Sequence, residues 1–392
     1  MEPGLIPPIR PFSMQDTDIG QAPPEPASRS GFGRWPATWR WALLLVLSLV
    51  LVVGLEVATL PAALLLGPMV AGIALGVGQA EIRVPAPLFG FAQAVVGCLV
   101  ARALPPEVFT ELGREWPIYV LGISSVIIVA LCIGVVLTRL KVMPGSTAIW
   151  GSAPGAASAM VLMADAHGAD ARLVAFMTYL RVVMVAFAAS VVSRIWTGGG
   201  EPVTLSAQWL PAVDWPAFAM TMGVVVVGLT IGRLSRIPAG GLLVPLVLGI
   251  ALQDLAGLRI ELPPLLLAVC YALVGWAIGL RFTRPILAHA GRALPAVLLS
   301  LLLMMTICAG FSVLLVLFAD IDPLTAYLAM SPGGADSVAI IAANTDVDAP
   351  FVMAMQAGRM LVLVALGPVL VRWVATQHWL TGLDETSGKA HT

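Results

Sequence analysis

The sequence has little charge for its length. Only 11% of the 392 residues are charged, whereas an average soluble domain carries roughly 25%. Hydrophobic residues make up 59% of the chain, so there is too little charge to cover a water-soluble surface. The composition therefore predicts an integral membrane protein. The net charge of −1 also provides no basic field for nucleic acid, and we expect no nucleic-acid partner.

Cysteine and histidine are equally sparse. The 4 cysteines stand singly inside apolar runs, and the 4 histidines lie far apart in the chain. No CxxC motif and no Cys/His pair at ligand spacing occurs, which argues against a disulfide framework and against a metal centre. We therefore expect no metal, no cofactor and no enzymatic activity.

Apolar runs fill most of the chain between its two polar ends. A helix that crosses a bilayer needs about 20 apolar residues, and runs near that length follow one another in two successive sets. Tryptophans such as Trp116, Trp196 and Trp215 lie at the ends of runs, as expected of side chains at the membrane–water interface. Residues 1–39 and 375–392 are predicted to be tails, the first of them disordered and cytoplasmic.

The two sets of runs are copies of each other. Prolines, glycines and charged residues of the first set recur 177 or 178 residues later, and so close a match over so long a stretch indicates a duplication. The matching pairs include Pro68 with Pro245, Pro154 with Pro332, Gly155 with Gly333, Asp170 with Asp348, and Arg181 with Arg359. We assign repeat 1 to residues 40–197 and repeat 2 to residues 216–374, joined by a linker at 198–215.

Basic residues predict how the repeats are oriented, because Lys and Arg concentrate in cytoplasmic loops. With the N-terminal tail inside, the loops with Arg139, Arg233 and Arg284 are all cytoplasmic only if repeat 2 is upside down relative to repeat 1. Six crossings per repeat would leave the repeats parallel. We therefore predict an all-α polytopic membrane protein with two inverted repeats. Each repeat has about five spanning helices plus one element that is broken or re-entrant, and both termini lie in the cytoplasm.

Proline and glycine interrupt one apolar run in each repeat. The breaks are Pro154-Gly155 and Pro332-Gly333-Gly334. Proline removes a helix N–H group and glycine relaxes the backbone, so both segments are predicted to be broken helices. In inverted-repeat transporters such breaks lie near the midplane and direct helix ends at a ligand. The alternative interpretation is that these residues merely kink packed helices.

Carboxylates lie inside or beside the interrupted runs. Asp336 follows the second break within an apolar stretch, where a charge needs a partner or a wet cavity, and its counterpart in repeat 1 is Ser158. The hypothesis is that Asp336 binds H⁺ or Na⁺, and the alternative is that it caps the half-helix after the break. Asp170 and Asp348 flank the broken segments, and we expect them to cap the next helix.

Arginines lie within the last span of each repeat. Arg181 and Arg359 are equivalent positions, and a guanidinium suits a carboxylate or phosphate. They could bind an anionic substrate, or one of them could neutralise Asp336. The alternative is that each binds carbonyl groups of the neighbouring broken helix. Gln356 and Tyr271 are weaker candidates for binding residues.

Several of these strings resemble the AbrB family of membrane proteins. The resemblance is carried by the segments from Gly67 to Gly72, from Ala153 to Met160 and from Ser331 to Asp336, together with the two arginine blocks, and it covers about residues 40–375. It implies the same duplication and, through distant similarity, a fold related to cation/proton antiporters and bile-acid-type transporters. Members carry the labels ammonia monooxygenase and AbrB family transcriptional regulator.

Three functions follow from these features. The leading hypothesis is an H⁺- or Na⁺-coupled secondary transporter of a small anionic solute, with a site between the repeats, in a bacterial inner membrane. The alternative is a membrane regulator or sensor that affects gene expression indirectly, through the N-terminal tail or the loop from Arg281 to Arg292. An ammonia monooxygenase is the least favoured. The expected partners are the lipid bilayer, the solute and the coupling ion; homodimers are common in analogous folds, but nothing in the sequence requires one.

Overall fold

The described part of the chain is helical. The computed structural model describes residues 35–376 except 59, 61, 105–112, 114, 144–145, 155–159, 162–163, 165–167, 197–212 and 236–239. No strand occurs in these ranges, which confirms the all-helical class. Most of the predicted linker and tails lies outside the described residues.

The helices are numbered here in chain order, half by half. In the first half they are α1 (Ala37–Val57), α2 (Ala63–Val77), α3 (Ala86–Arg102), α4 (Trp116–Arg139), α5 (Thr147–Ser152) and α6 (Ala171–Trp196). In the second half they are α7 (Trp215–Leu234), α8 (Gly240–Ala256), α9 (Pro264–Gly279), α10 (Arg284–Ala290), α11 (Leu294–Ala319), α12 (Pro323–Met330), α13 (Ala335–Ala342) and α14 (Ala349–Thr376). By position, α1 to α3 correspond to α7 to α9, α4 to α11, α5 to α12 and α6 to α14.

Six helices in the described ranges are long and apolar enough to cross a membrane. They are α1, α4, α6, α7, α11 and the part of α14 from Ala349 to Gly367. The helices α2, α3 and α8 are apolar but shorter, and α9 forms a bent pair with α10 at an angle of 52°. The six long helices support the prediction of a membrane protein.

The helices form two bundles, and each half of the chain contributes to both. Bundle A contains α1, α2, α3, α7, α8 and α9, whereas bundle B contains α4, α5, α6, α11, α12, α13 and α14. In bundle A, α2 packs along α9 and α3 packs along α8. These two pairs are equivalent under the duplication, so the halves exchange helices symmetrically.

Glycines set the close packing in bundle A and reveal the directions of its helices. A Cβ atom at Gly275 would lie 2.7 Å from the carbonyl oxygen of Leu65, and one at Gly72 would lie 3.1 Å from the Cα atom of Gly279. Residue numbers rise together along α2 and α9, so these helices are parallel. The same holds for α3 and α8, where Gly97 approaches Leu242 and Gly249 approaches Ala101. Small residues permit such contacts between membrane helices.

The remaining directions in bundle A follow from α7. This helix is antiparallel to α8, because Gly228 faces Pro245 and Gly232 faces Gly240. The backbone N–H of Glu261, in the loop after α8, donates a 3.0 Å hydrogen bond to the Thr221 hydroxyl near the start of α7. The start of α7 lies beside the end of α8. Consequently α9 begins at the end of the bundle where α8 ends.

Each interrupted segment begins and ends at the same place. The backbone N–H of Asp170, just before α6, donates to the hydroxyl of Thr147 at the start of α5, at 3.1 Å. The same bond, also at 3.1 Å, joins Asp348 to Thr325 near the start of α12. The chain therefore enters and leaves both segments at one level.

The two ends of the molecule differ in charge. We call one end the basic face and the other the acidic face. The basic face carries Arg83, Arg139, Lys141, Arg172, Arg233, Arg281, Arg284 and Arg292 together with the carboxylates Glu81 and Asp170, while the acidic face carries Glu115, Asp320, Asp322, Asp346 and Asp348. The acidic face also holds Arg102, Arg194 and Arg259.

Candidate functional site

Arg359 binds the backbone at the second break. Helix α12 ends at Met330 and the chain continues in an extended conformation at Ser331. The guanidinium of Arg359 donates to the carbonyl oxygens of Ser331 (2.8 Å) and Gly333 (3.1 Å). The last carbonyls of a helix have no partner within the helix and carry partial negative charge. The cation therefore stabilises an end that would otherwise be unpaired in a membrane interior.

Arg181 makes the equivalent contacts at the first break. Its Nη1 atom donates to the carbonyl oxygens of Ser152 (2.9 Å) and Ala153 (3.1 Å), where α5 ends. Arg181 is 1% exposed and Arg359 is 3% exposed. The structure thus shows the carbonyl contacts that the sequence suggested as the alternative role of this pair. One group is not satisfied in this way: the Nε atom of Arg181 is buried without a hydrogen-bond partner in the described chain.

Both guanidinium groups are buried, each at its own helix break. Neither forms an ion pair with a described carboxylate. A buried cation without a carboxylate partner is unfavourable in a low-dielectric interior, and a bound anion would relieve that cost. The contacts with carbonyls offset part of it and hold each guanidinium at its helix break.

Gln356 adds side-chain hydrogen bonds at the second break. Its Nε2 atom donates to the carbonyl oxygens of Leu328 (2.8 Å) and Ser331 (3.2 Å), and its Oε1 atom accepts a hydrogen bond from Arg359. The equivalent residue of the first half is Thr178, whose hydroxyl instead donates to Val174 within the same helix at 2.8 Å. Gln356, one of the weaker candidates from the sequence, therefore lies at the site.

The other predicted site residues divide into three groups. Pro154, Pro332 and Gly333 are buried at the breaks, and a Cβ at Gly333 would lie 2.8 Å from the Val185 side chain on α6. Gly334 is the N-cap of α13 and Asp336 is in its first turn, but the Asp336 side chain lies outside the described part of the structure. Gly155 and Ser158 lie outside it as well. Tyr271 is buried on α9 in the other bundle.

Asp170 and Asp348 cap the helices that follow the broken segments, which confirms that prediction. The Asp170 carboxylate accepts backbone N–H groups of Arg172 (2.9 Å) and Leu173 (3.1 Å), and that of Asp348 accepts the N–H of Phe351 at 2.9 Å. Each bond satisfies a free donor in the first turn of its helix.

His289 was not identified from the sequence as a partner of Asp170. Its Nε2 atom lies 2.7 Å from the Asp170 carboxylate. Partial burial raises the pKa of Asp170, but the hydrogen bonds with His289 and with the Leu173 and Arg172 N–H groups outweigh it and hold the pKa below its usual value. The partner lies 119 residues away, so no local sequence pattern could reveal it.

Two of the cavities lined by described residues open near the acidic face. The larger, of about 600 Å³, is lined by Glu115, Tyr119, Asp320, Ile321, Asp322, Thr325, Asp346, Val347, Asp348 and Phe351. The smaller, of about 130 Å³, lies between α3 and the helices α13 and α14. Within the described ranges, no group of three or more His, Cys, Asp or Glu side chains is placed to hold a metal ion, so the carboxylates of the larger cavity do not form such a group.

The fold and the site define a class: a helical protein with six helices in the described ranges long and apolar enough to cross a membrane, and with a buried arginine at each of two helix breaks. A family model described as "Transition state regulatory protein AbrB" matches residues 64–375, and the chain belongs to the AbrB family. It is 44% identical over 338 residues to "Putative regulator AbrB" of Escherichia coli strain K12, which covers 86% of this chain and 97% of that protein. It is 23% identical over 303 residues to "Uncharacterized protein YhjN" of Bacillus subtilis strain 168, covering 73% of this chain and 78% of the relative. No solved structure matches the chain significantly.

Proposed function

We propose that the protein is a secondary transporter of a small anionic solute, coupled to H⁺ or Na⁺. The solute binds near the membrane midplane, between two inverted repeats. The observation that carries the proposal is the pair of buried arginines, each bound to the end of a broken helix and each without a carboxylate partner in the described chain.

Helix directions support the inversion. In bundle A, α2 is parallel to α9, whereas α8 runs the opposite way to α9. The equivalent helices α2 and α8 are thus opposed in direction. Five crossings plus one non-crossing segment per repeat would produce this relation, and the bonds that join Thr147 to Asp170 and Thr325 to Asp348 favour a segment that returns to its starting face.

Charge supports the orientation in the membrane. Lys and Arg concentrate on cytoplasmic loops, and the basic face carries most of those described here. We infer that this face is cytoplasmic and that both termini lie on that side of a bacterial inner membrane. The acidic face then points outward.

The chemistry of the arginines supports an anionic solute. Two buried cations, neither with a carboxylate partner among the described residues, favour the binding of an anion. The buried, unpartnered Nε atom of Arg181 supplies a further donor. A carboxylate or phosphate would suit these donors, because a guanidinium binds either group through two parallel hydrogen bonds.

Asp336 supports ion coupling through its place in the chain. It lies in the first turn of α13, three residues after Gly333, whose carbonyl accepts from Arg359. A carboxylate at this depth is costly unless it exchanges a proton, binds a cation or pairs with a cation. We propose that it takes up H⁺ or Na⁺ in step with the solute.

Transport by the purified full chain tests the proposal. Proteoliposomes would be given pulses of small carboxylates and inorganic phosphate under pH or Na⁺ gradients, and the currents recorded on a solid-supported membrane. We expect at least one anion to produce a gradient-dependent current. Asp336→Asn should remove the coupling and Arg359→Gln should remove the current, while Arg194→Gln, an exposed arginine on α6, should leave it unchanged. Currents that are indifferent to Asp336→Asn and Arg359→Gln would contradict the proposed site.

A second candidate function is indirect regulation of gene expression. It is favoured by the name of the Escherichia coli relative and by the description of the family. An output surface would come from the N-terminal tail or from the segment Arg281–Arg292. Deletion of residues 1–34 with measurement of transcript levels tests it, since unchanged transcripts would remove the tail as an output. We propose no enzymatic role, and elemental analysis for copper and iron in the purified protein tests the monooxygenase label.

A further inference from the structure

Two arginines from different helices bind the same end of α2. Helix α2 ends at Val77, and the backbone N–H of Ala80 donates back to the Leu75 carbonyl oxygen at 3.0 Å, which closes the helix end. The Nη1 atom of Arg40, in the first turn of α1, donates to the carbonyl oxygen of Ala80 at 2.6 Å. The Nε atom of Arg284, the first residue of α10, donates to the carbonyl oxygen of Val77 at 2.9 Å. We call this arrangement the α2-end site.

The two guanidinium groups flank one short stretch of chain. Their acceptor carbonyls belong to residues three positions apart, so the two α-carbons are separated by at most about 11 Å even in a fully extended chain. Packing within bundle A fixes the elements that carry the arginines. A Cβ atom at Gly76 would lie 2.8 Å from the carbonyl oxygen of Phe282, and the rings of Trp41 and Trp276 are 6.1 Å apart, edge to face. The cations are therefore held on either side of one helix end.

Both arginines keep donors that the described residues do not use. The Nε atom of Arg40 is buried and has no hydrogen-bond partner. Arg284 is exposed, and no described residue accepts a hydrogen bond from its terminal nitrogens. Neither arginine forms an ion pair with a described carboxylate. The loop after α2 adds the exposed cation Arg83 and the exposed carboxylate Glu81. A buried donor without an acceptor is costly, and a ligand oxygen would satisfy it.

The surroundings of the site suit a lipid. Trp39, beside Arg40, is exposed, and tryptophan is enriched where a membrane meets water. Leu45, Leu49 and Val53 lie on α1 at intervals of four residues and are exposed as well. This spacing places them on one face of the helix. An apolar strip thus runs along α1, away from the end that carries Arg40.

We propose that the α2-end site binds the headgroup of an anionic phospholipid, whose acyl chains lie along the exposed face of α1. The phosphate accepts hydrogen bonds from the Arg40 Nε atom and from a terminal nitrogen of Arg284, because guanidinium groups bind phosphate oxygens well. Basic pockets between membrane helices bind such headgroups. The inference is independent of the proposed transport function, since it concerns bundle A and the arginines of the helix breaks belong to bundle B.

Lipid binding to the purified full chain tests the proposal. The protein, stripped of lipid in detergent, would be titrated with phosphatidylglycerol or with phosphatidylcholine of the same acyl chains, and bound lipid counted by native mass spectrometry. We expect phosphatidylglycerol to bind more tightly, and Arg40→Gln with Arg284→Gln to weaken it by about tenfold or more, since each cation near an anionic lipid contributes to binding. Lys141→Gln with Arg292→Gln is the matched control, because both residues are exposed on the same face. Equal binding of the two lipids, or the same loss in the control, would overturn the proposal.

Thermal unfolding separates lipid binding from a purely structural role. If the arginines only cap α2, the double variant unfolds earlier in both lipids, and the parent shows no difference between them. We expect the parent to have a higher midpoint with phosphatidylglycerol and the double variant to lose that difference. If the double variant does not fold, Arg40→Lys replaces it: lysine keeps the charge but has no Nε–H, so the difference should shrink. The same rise with inorganic phosphate alone would overturn the lipid assignment.

Discussion

At the residue scale, the site consists of two arginines that bind main-chain oxygens. A guanidinium has a rigid fork of donors, which allows Arg359 to reach Ser331 and Gly333 together. A lysine has one compact ammonium and cannot reproduce that fork. The geometry of the break therefore depends on the shape of the side chain as well as on its charge.

Arg359→Lys should lower the stability of the protein although it keeps the charge. One carbonyl at the break loses its donor, and a hydrogen bond from a charged group contributes about 1.5–3 kcal/mol. Thermal unfolding in detergent should show a lower midpoint. Arg194→Lys is the control, because Arg194 is exposed at the end of α6. An unchanged midpoint for Arg359→Lys would show that the carbonyl bonds contribute nothing to the fold.

Asp170→Asn should lower stability at neutral pH, with a gap that closes in acid. The folded pKa of Asp170 is held below the ordinary 3.8. The carboxylate therefore contributes stability above pH 3.8, and that contribution is lost as the pH falls through the folded pKa. Unfolding midpoints of both proteins from pH 7 to pH 3 test this. The exposed residue Asp254 provides the control variant Asp254→Asn. A gap that widens toward acid would contradict the assignment.

The sequence identified the charged residues of the site better than it identified their partners. The duplication drew attention to Arg181 and Arg359. An arginine inside an apolar run is costly, and this one recurs at the equivalent position of the second repeat. Their bonds to carbonyls depend on where α5 and α12 end, which the Pro-Gly pairs located to within a few residues. The contact of Asp170 with His289 joins two distant parts of the chain, and neither part has a sequence pattern that predicts it.

At the element scale, glycine decides how closely α2 and α9 pack. Gly275 and Gly279 on α9 lie against the backbone of α2, where no side chain fits. Parallel packing of this pair, and of α3 with α8, forms the centre of bundle A. Helices α2, α3 and α8 in this centre are shorter than an ordinary membrane span, and α9 reaches that length only together with α10 as a bent pair.

Gly275→Ala should destabilise bundle A. The new methyl group would lie 2.7 Å from the Leu65 carbonyl oxygen, which is backbone and cannot move aside cheaply. Overpacking of this kind costs about 1–3 kcal/mol. Gly223→Ala on α7 is the matched control, because a Cβ there meets nothing within 4 Å. The two midpoints in thermal unfolding should differ, and equal midpoints would mean that the helices separate easily.

The elements themselves were largely predictable, with one exception. Apolar runs and Pro-Gly pairs indicated most of the helices and the break between α12 and α13. The short helix α10 was treated as a basic loop, because Arg284–Ala290 has neither the length nor the apolar period of a span. It is nevertheless the element that carries His289 to α6.

At the scale of the whole molecule, the two repeats interlock. The duplication was visible in the sequence because the offset stays at 177 or 178 residues. The division into bundles was not visible in the sequence. Hydrophobic periodicity indicates where a helix begins and ends, but it does not indicate which other helices it packs against. The first three helices of each repeat join one bundle and the later ones join the other.

The charge of the two faces has a consequence for the proposed transport. Carboxylates around the larger cavity repel anions and attract cations at the acidic face. A cation such as the proposed coupling ion would therefore have the more favourable approach from that side.

Opposite orientation of the two repeats is the feature on which the proposed site depends. Single cysteines at positions 139, 233, 284 and 320, each in a cysteine-free background, would be labelled from either side of the membrane. We predict that 139, 233 and 284 react from the cytoplasm and that 320 reacts from outside. If 233 and 284 react from outside, the repeats are parallel, the Pro-Gly segments cross the membrane, and the arginine pair cannot lie between inverted halves.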